Sequence, residues 1–187
     1  TGHDACMSIS PDGNIIYVYR NIIKETGSGD IYYSTKKADG RWSSPKTIGK
    51  PINSTFFESS ACLSPDGNTL YFVSERNGGY GNADIWKSTK IGKNQWSKPV
   101  NLGNIINTEE DELSVFIHPD GKTLFFSSKG HNTMGGYDIF MTQMQSDLTW
   151  HTPVNLGYPI NTTKNDEFFV VTADSKTAYI TSTKEGG

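Results

Sequence analysis

Four acidic residues stand at one interval in this sequence: Asp4, Glu58, Glu112 and Asp166 follow one another every 54 residues. Carboxylates at one position of a repeating fold gather at one rim of it. Held close together, they raise the local negative potential and can meet a cation, an amine or a basic peptide. The same carboxylates can instead accept backbone N–H bonds from adjoining chain and fix the geometry of the repeat. Asp30, Asp84 and Asp138 form a second series at the same interval, each after a Gly-containing loop and before an isoleucine. Their loops lack the dense oxygen ligands of a calcium-binding loop. The expected role is therefore Asx-type bonding within the turn.

Departures from the interval mark further candidates. Arg20 stands where the other copies carry Ser74, Ser128 and Ser182. Arg76, Tyr80 and His131 fall in loops, where adaptable binding surface is usually carried, and with Arg20 they form a candidate partner-contact set. The four histidines, His3, His118, His131 and His151, make no His-x-x-x-His pair, and Cys6 and Cys62 make no Cys-x-x-Cys pair, so no zinc site is expected. There is no Gly-x-Ser-x-Gly elbow for a serine hydrolase. The expectation is a protein without metal or cofactor, and not an enzyme. Cys6 and Cys62 are two residues out of register with the interval; they read as buried free thiols, with pairing left open.

Composition narrows the class. The 187 residues carry 17 Lys and Arg against 20 Asp and Glu, a net charge of -3, which argues against a nucleic-acid binder. Hydrophobic residues make up 34% and aromatic residues 12%, with 19 glycines, the balance of a β protein with short strands and many turns. No apolar run approaches the roughly 20 residues of a membrane-spanning helix. No secretory or lipidation signal opens the chain at Thr1, so a mature or excised segment is expected.

The elements that must position these residues follow from the same interval. Pro11-Asp12-Gly13, Pro65-Asp66-Gly67 and Pro119-Asp120-Gly121 recur every 54 residues, as do Trp42, Trp96 and Trp150, and Asn53, Asn107 and Asn161. The repeats run 4–57, 58–111, 112–165 and an incomplete 166–187. In the second, short strands are expected over 59–64, 69–75, 83–89 and 95–102, with a tight turn at Pro65-Asp66-Gly67. Pro99 matches Pro45 and Pro153; lacking an N–H, proline belongs on an outer strand. Four antiparallel strands per unit, in tandem, predict an all-β fold: a β-propeller of about three and a half blades. The tryptophans and the pairs Ile31-Tyr32, Ile85-Trp86 and Ile139-Phe140 are expected to fill the junctions between blades. The expectation is a partial propeller, either a piece of a larger one or a chain that self-associates through open blade edges.

The pattern Ser-Pro-Asp-Gly-x-x-Leu-Tyr-Phe (64–72), Gly-Gly through Asp-Ile (78–85), Trp-Ser-x-Pro-x-x-Leu-Gly (96–103) and Ile-Asn (106–107) resembles the WD40-like, TolB-type propeller repeats of Bacteroidetes envelope proteins that also carry an OmpA-like domain. The resemblance implies a periplasmic, outer-membrane-associated scaffold that binds envelope proteins, in some relatives within type IX secretion. Asp4, Glu58, Glu112 and Asp166 would then ring a channel mouth. The alternative is a carbohydrate-binding or carbohydrate-active propeller, with tryptophan and tyrosine stacking on sugars and a carboxylate pair performing hydrolysis.

Overall fold

The computed structural model describes residues 3–21, 29–93 and 95–184. Fifteen strands are found there, and no helix. The first sheet joins β1 (His3–Ile9), β2 (Ile15–Asn21), β3 (Asp30–Thr35) and β4 (Lys46–Thr47) in that order. The second joins β5 (Glu58–Leu63), β6 (Thr69–Ser74) and β7 (Asp84–Gly92), with the short β8 (Gln95–Trp96) and β9 (Val100–Asn101) both pairing with β7. The third joins β10 (Glu112–Ile117), β11 (Thr123–Ser128), β12 (Asp138–Gln143) and β13 (Val154–Asn155). A two-stranded sheet, β14 (Asp166–Val171) with β15 (Ala178–Ser182), follows. All pairings are antiparallel and, apart from β9 with β7, join sequence neighbours, so each sheet is a blade.

The Pro-Asp-Gly turns close the first two strands of each blade because each residue has a task. Asp66 accepts the Asn68 N–H and the Ser64 hydroxyl, and Gly67 adopts φ 72°, a left-handed conformation that glycine enters at little cost. Asp12 and Gly13 repeat this geometry. Asp120 likewise accepts the Lys122 N–H before left-handed Gly121, but the hydroxyl it accepts is that of Thr123, and buried His118, in place of the serine, accepts the Asp120 N–H on Nδ1.

The outer strand departs from expectation. Instead of one strand over 95–102, β8 and β9 are separate two-residue pieces on β7. Pro99 has no N–H to give the ladder between them, and Ser97 bonds Thr89 through both its backbone and its hydroxyl. His3 begins β1.

The core lies between blades. One cluster joins Tyr17, Ile31 and Ile52 to Leu63, Leu70, Phe72 and Trp86 across the first junction. Another joins Tyr71, Val73, Ile85 and Ile106 to Ile117, Phe126, Phe140 and Trp150 across the second. Phe125, Ile139 and Phe169 form the third. Of the three repeated tryptophans only Trp150 is buried; Trp42 and Trp96 are half-buried. Cys6 and Cys62 are both free, and Cys6 is exposed rather than buried. Burial pushes the Cys62 thiol up to about 11.

Candidate functional site

Strand direction alternates within each blade, so the starts of β1, β5, β10 and β14, the loops after β6 and β11, and the inter-blade loops share one rim. The carboxylates of the 54-residue series sit on it, in four different states. Glu58 has no exposed surface. It accepts the Ser54 N–H at 3.0 Å, the hydroxyls of Ser54 and Ser74 at 2.6 and 2.7 Å, and Arg76 Nη2 at 3.1 Å. Its own N–H bonds Gly29 O of the preceding blade. Glu112 is equally buried and takes the Thr108 N–H and hydroxyl and the Ser128 hydroxyl, with no cation among its described partners. Burial pushes its carboxyl up to about 8 against the lowering effect of those bonds. Asp166, also buried, holds Thr162 N and Oγ1 on Oδ2, while its Oδ1 has no partner among the described residues.

These three carboxylates therefore clasp inter-blade loops and present nothing to a partner directly. Only Asp4 is accessible, with 47% of its side chain exposed, and it pairs with Arg20 Nε at 3.1 Å. The Arg20 guanidinium also lies 5.7 Å from the Tyr32 ring. In the first blade Arg20 thus does for Asp4 what a serine does for the buried glutamates.

Arg76 and His131 turn out to fill one kind of slot. The Arg76 guanidinium lies over Phe72 and Trp86, 5.0 and 5.5 Å from their centroids, and donates to the carbonyls of Pro51 and Ile52. His131 lies 5.8 and 5.1 Å from Phe126 and Phe140, and its Nε2 is 2.9 Å from Ile106 O. The rings and carbonyls match at 54 residues, but Arg76 and His131 are 55 apart. His131 adopts φ 52°, and the altered loop path brings the next residue into the slot. A register scan misses this equivalence because the signal is offset by one residue.

Asp84 and Asp138 shape the rim loops. Asp84 accepts the N–H groups of Tyr80 and Gly81 at 2.7 and 3.2 Å, and Asp138 those of Met134 and Gly135 at 2.6 and 3.3 Å. Asn101 and Asn155 brace the two carboxylates from the outer strand. A Cβ on Gly81 would lie 2.1 Å from Glu110 O, and one on Gly135 2.2 Å from Lys164 O, so both loops seat tightly on the next blade's inter-blade loop. Their tips are exposed apolar side chains: Tyr80 is 52% exposed and Met134, its counterpart one repeat later, 48%. Met134 was not among the residues singled out by sequence; its position 54 residues after Tyr80 was the available signal.

No family model matches the sequence, and no curated protein matches it. Among solved structures, the chain is similar to TolB of Acinetobacter baumannii, with TM-score 0.64 and 16% identity over all of this chain and 39% of that one. It is similar to a protein assigned as TolB from Agrobacterium tumefaciens, with TM-score 0.56 and 15% identity over all of this chain and 72% of that one. The periplasmic gluconolactonase PpgL of Pseudomonas aeruginosa matches with TM-score 0.56 and 13% identity, over 96% of this chain and 50% of that one. The chain thus spans well under two thirds of the Acinetobacter TolB and of the gluconolactonase.

The expectation that the chain is not an enzyme does not stand. The same architecture serves a gluconolactonase, and function resides in sites placed on a fold rather than in the fold. Absence of short catalytic motifs excludes little when loops far apart in sequence meet on one rim. At these identities the likeness is one of fold: the blades of this chain are those of a TolB-like β-propeller.

Proposed function

We propose that this chain forms part of a TolB-like propeller that binds protein partners through the rim carrying the loops after β6 and β11. The observation that carries the reading is the pair of exposed tips, Tyr80 and Met134, held in matching positions by Asp84 and Asp138. Apolar and aromatic side chains on pre-formed loops give contact area at low entropic cost, which favours recognition. Asp4 and Arg20 extend the rim as accessible charges. Glu58, Glu112, Asp166, Arg76 and His131 support it from beneath by holding the loops in place.

The repeat motif supports a setting in a bacterial envelope. The reading is of a periplasmic scaffold associated with the outer membrane, of the OmpA-linked kind, with envelope proteins as partners and type IX secretion as one such assembly. The test is cross-linking capture from envelope extract with the chain as bait and a Tyr80→Ala/Met134→Ala variant beside it. Specific proteins captured by the parent and lost in the variant are the expected result. Equal capture by both would move the contact off this rim and sink the reading.

A further inference from the structure

The charges of this chain are segregated. Residues 31–50 and 85–101, the outer strands and hairpins of the first two blades, hold nine of the 17 Lys and Arg and one of the 20 Asp and Glu. The remaining residues hold eight basic and 19 acidic side chains, so a net charge of +8 lies beside one of -11. Lys36, Lys37, Lys46 and Lys50 of the first blade, and Lys90, Lys93 and Lys98 of the second, are exposed, and Lys87 is half-buried. None of these lysines has an ion pair among the described residues; Arg41 is bound to Asp39. The third blade lacks the feature: residues 139–158 carry Asp147 and no Lys or Arg.

A groove of about 180 Å³ lies within this basic surface, where the two blades meet. Tyr17, Tyr33 and Trp96 wall it, Ile15 and Ile48 line it, and Lys90 stands at its edge. The next junction also leaves an opening, of about 480 Å³, lined among others by Tyr71, Lys87 and Met144. There Met144 replaces Lys90 and packs against the core, and Trp150 lies edge-on to Tyr71 at 6.4 Å. Trp150 is 5% exposed, whereas Trp96 is half-buried. The second opening carries the carboxylates of Asp66 and Asp120, whereas the first carries none.

We propose that the outer surface of the first two blades docks an acidic protein segment, which lays one large apolar side chain into the groove at their junction. Charge complementarity selects the acidic partner, since long-range attraction steers association and these exposed lysines have no ion pair among the described residues. The groove is smaller than the roughly 300 Å³ at which small-molecule pockets begin, which suits a single side chain. Tyr17, Tyr33 and Trp96 give it aromatic faces, and the one threonine in it, Thr47, already accepts the Gly49 N–H and the Asn53 amide. The segment does not add as a β-strand, because the outer strands β4, β8 and β9 have two residues each and stand beside Pro45 and Pro99.

This surface lies apart from the Tyr80 and Met134 rim, so the two claims fail separately. The test uses fluorescence anisotropy with a labelled peptide, Glu-Asp-Glu-Glu-Phe-Glu-Asp-Glu. Comparison probes are the same peptide with Phe→Ser, one with every acid replaced by Lys, and polygalacturonate as competitor. The expected results are binding of the Phe peptide that weakens about tenfold from roughly 50 to roughly 300 mM salt, and no binding of the Lys peptide. A Lys46→Glu/Lys90→Glu/Lys98→Glu variant, shown to be folded by its melting curve, should bind about tenfold more weakly or worse. Replacing Phe by Ser should cost several-fold, and Trp96→Ala, which removes one wall of the groove, should erase that difference while Lys90→Gln keeps it. Tyr80→Ala/Met134→Ala should bind the peptide as the parent does. Equal affinity for the Phe and Ser peptides, polygalacturonate competing without regard to Phe, or an unaffected charge-reversal variant would each overturn the proposal.

Discussion

At the scale of single residues, the buried glutamates differ in how their charge is compensated, and that difference can be measured. Glu58 has Arg76, whose side chain is 13% exposed. Arg76→Ala would strand a buried carboxylate, so a loss of roughly 3–5 kcal/mol is expected in denaturant unfolding. Glu112 has no cation among its described partners, and burial pushes its carboxyl up to about 8 in the folded chain, against an ordinary value of 4.5. Its folded carboxyl holds its proton where the unfolded one has released it. Its contribution is therefore complete below pH 4.5 and declines as pH rises towards 8. Glu112→Gln should flatten that decline, leaving the variant less sensitive than the parent between those limits by on the order of 5 kcal/mol. A decline of the same size in both proteins would show that the carboxyl is ionised throughout. The carboxylate series itself was legible in the sequence, but its burial was not. Whether Glu58 faces solvent depends on Ser54 and Ser74 converging on it from two elements, which spacing along one chain does not reveal.

At the scale of elements, turns and loops carry the specificity of the fold. The tip of the hairpin between β12 and β13 places Leu148 at φ 66° with 71% of its surface exposed. Gly40, at the equivalent position of the first blade, has φ 82°. A leucine there bears the steric cost of the left-handed region and gains little burial. Leu148→Gly should raise stability by roughly 0.5–1 kcal/mol, read as a higher melting temperature; a lower one would mean that the leucine packs against something in solution. The rim loops behave oppositely. Gly81→Ala would drive a Cβ into Glu110 O, and a loss of roughly 1–3 kcal/mol is expected from the overpacking. Sequence reading located these loops through Asp84 and Asp138. It misjudged the outer strand because Pro99 was read as an edge-strand marker rather than as a break in the ladder.

At the scale of the whole molecule, stability comes from junctions, each filled by two neighbouring blades. The two-stranded sheet shows the converse: Tyr179 and Ile180 are 68% and 42% exposed, while their counterparts Phe125 and Phe126 are 8% and 1% exposed. An apolar edge of this kind favours strand pairing between chains. Concentration-dependent association is expected in sedimentation velocity, reduced by Ile180→Lys; a monomer at every concentration would remove that expectation. The blade count was legible because four landmarks share one interval. The division of charge between outer and inner strands was equally present in the sequence, but it acquires meaning only when β3, β4, β7, β8 and β9 are seen to lie on one side of two adjoining blades.

The claim most in need of a direct test is that partners meet the rim bearing Tyr80 and Met134. A photo-cross-linking amino acid placed at position 80, with a second chain carrying it at Lys122 on the opposite rim, reports contact by position alone. In envelope extract, discrete adducts are expected from position 80 and none from position 122. Adducts from 122 alone, or from neither position, would contradict the rim as the binding surface.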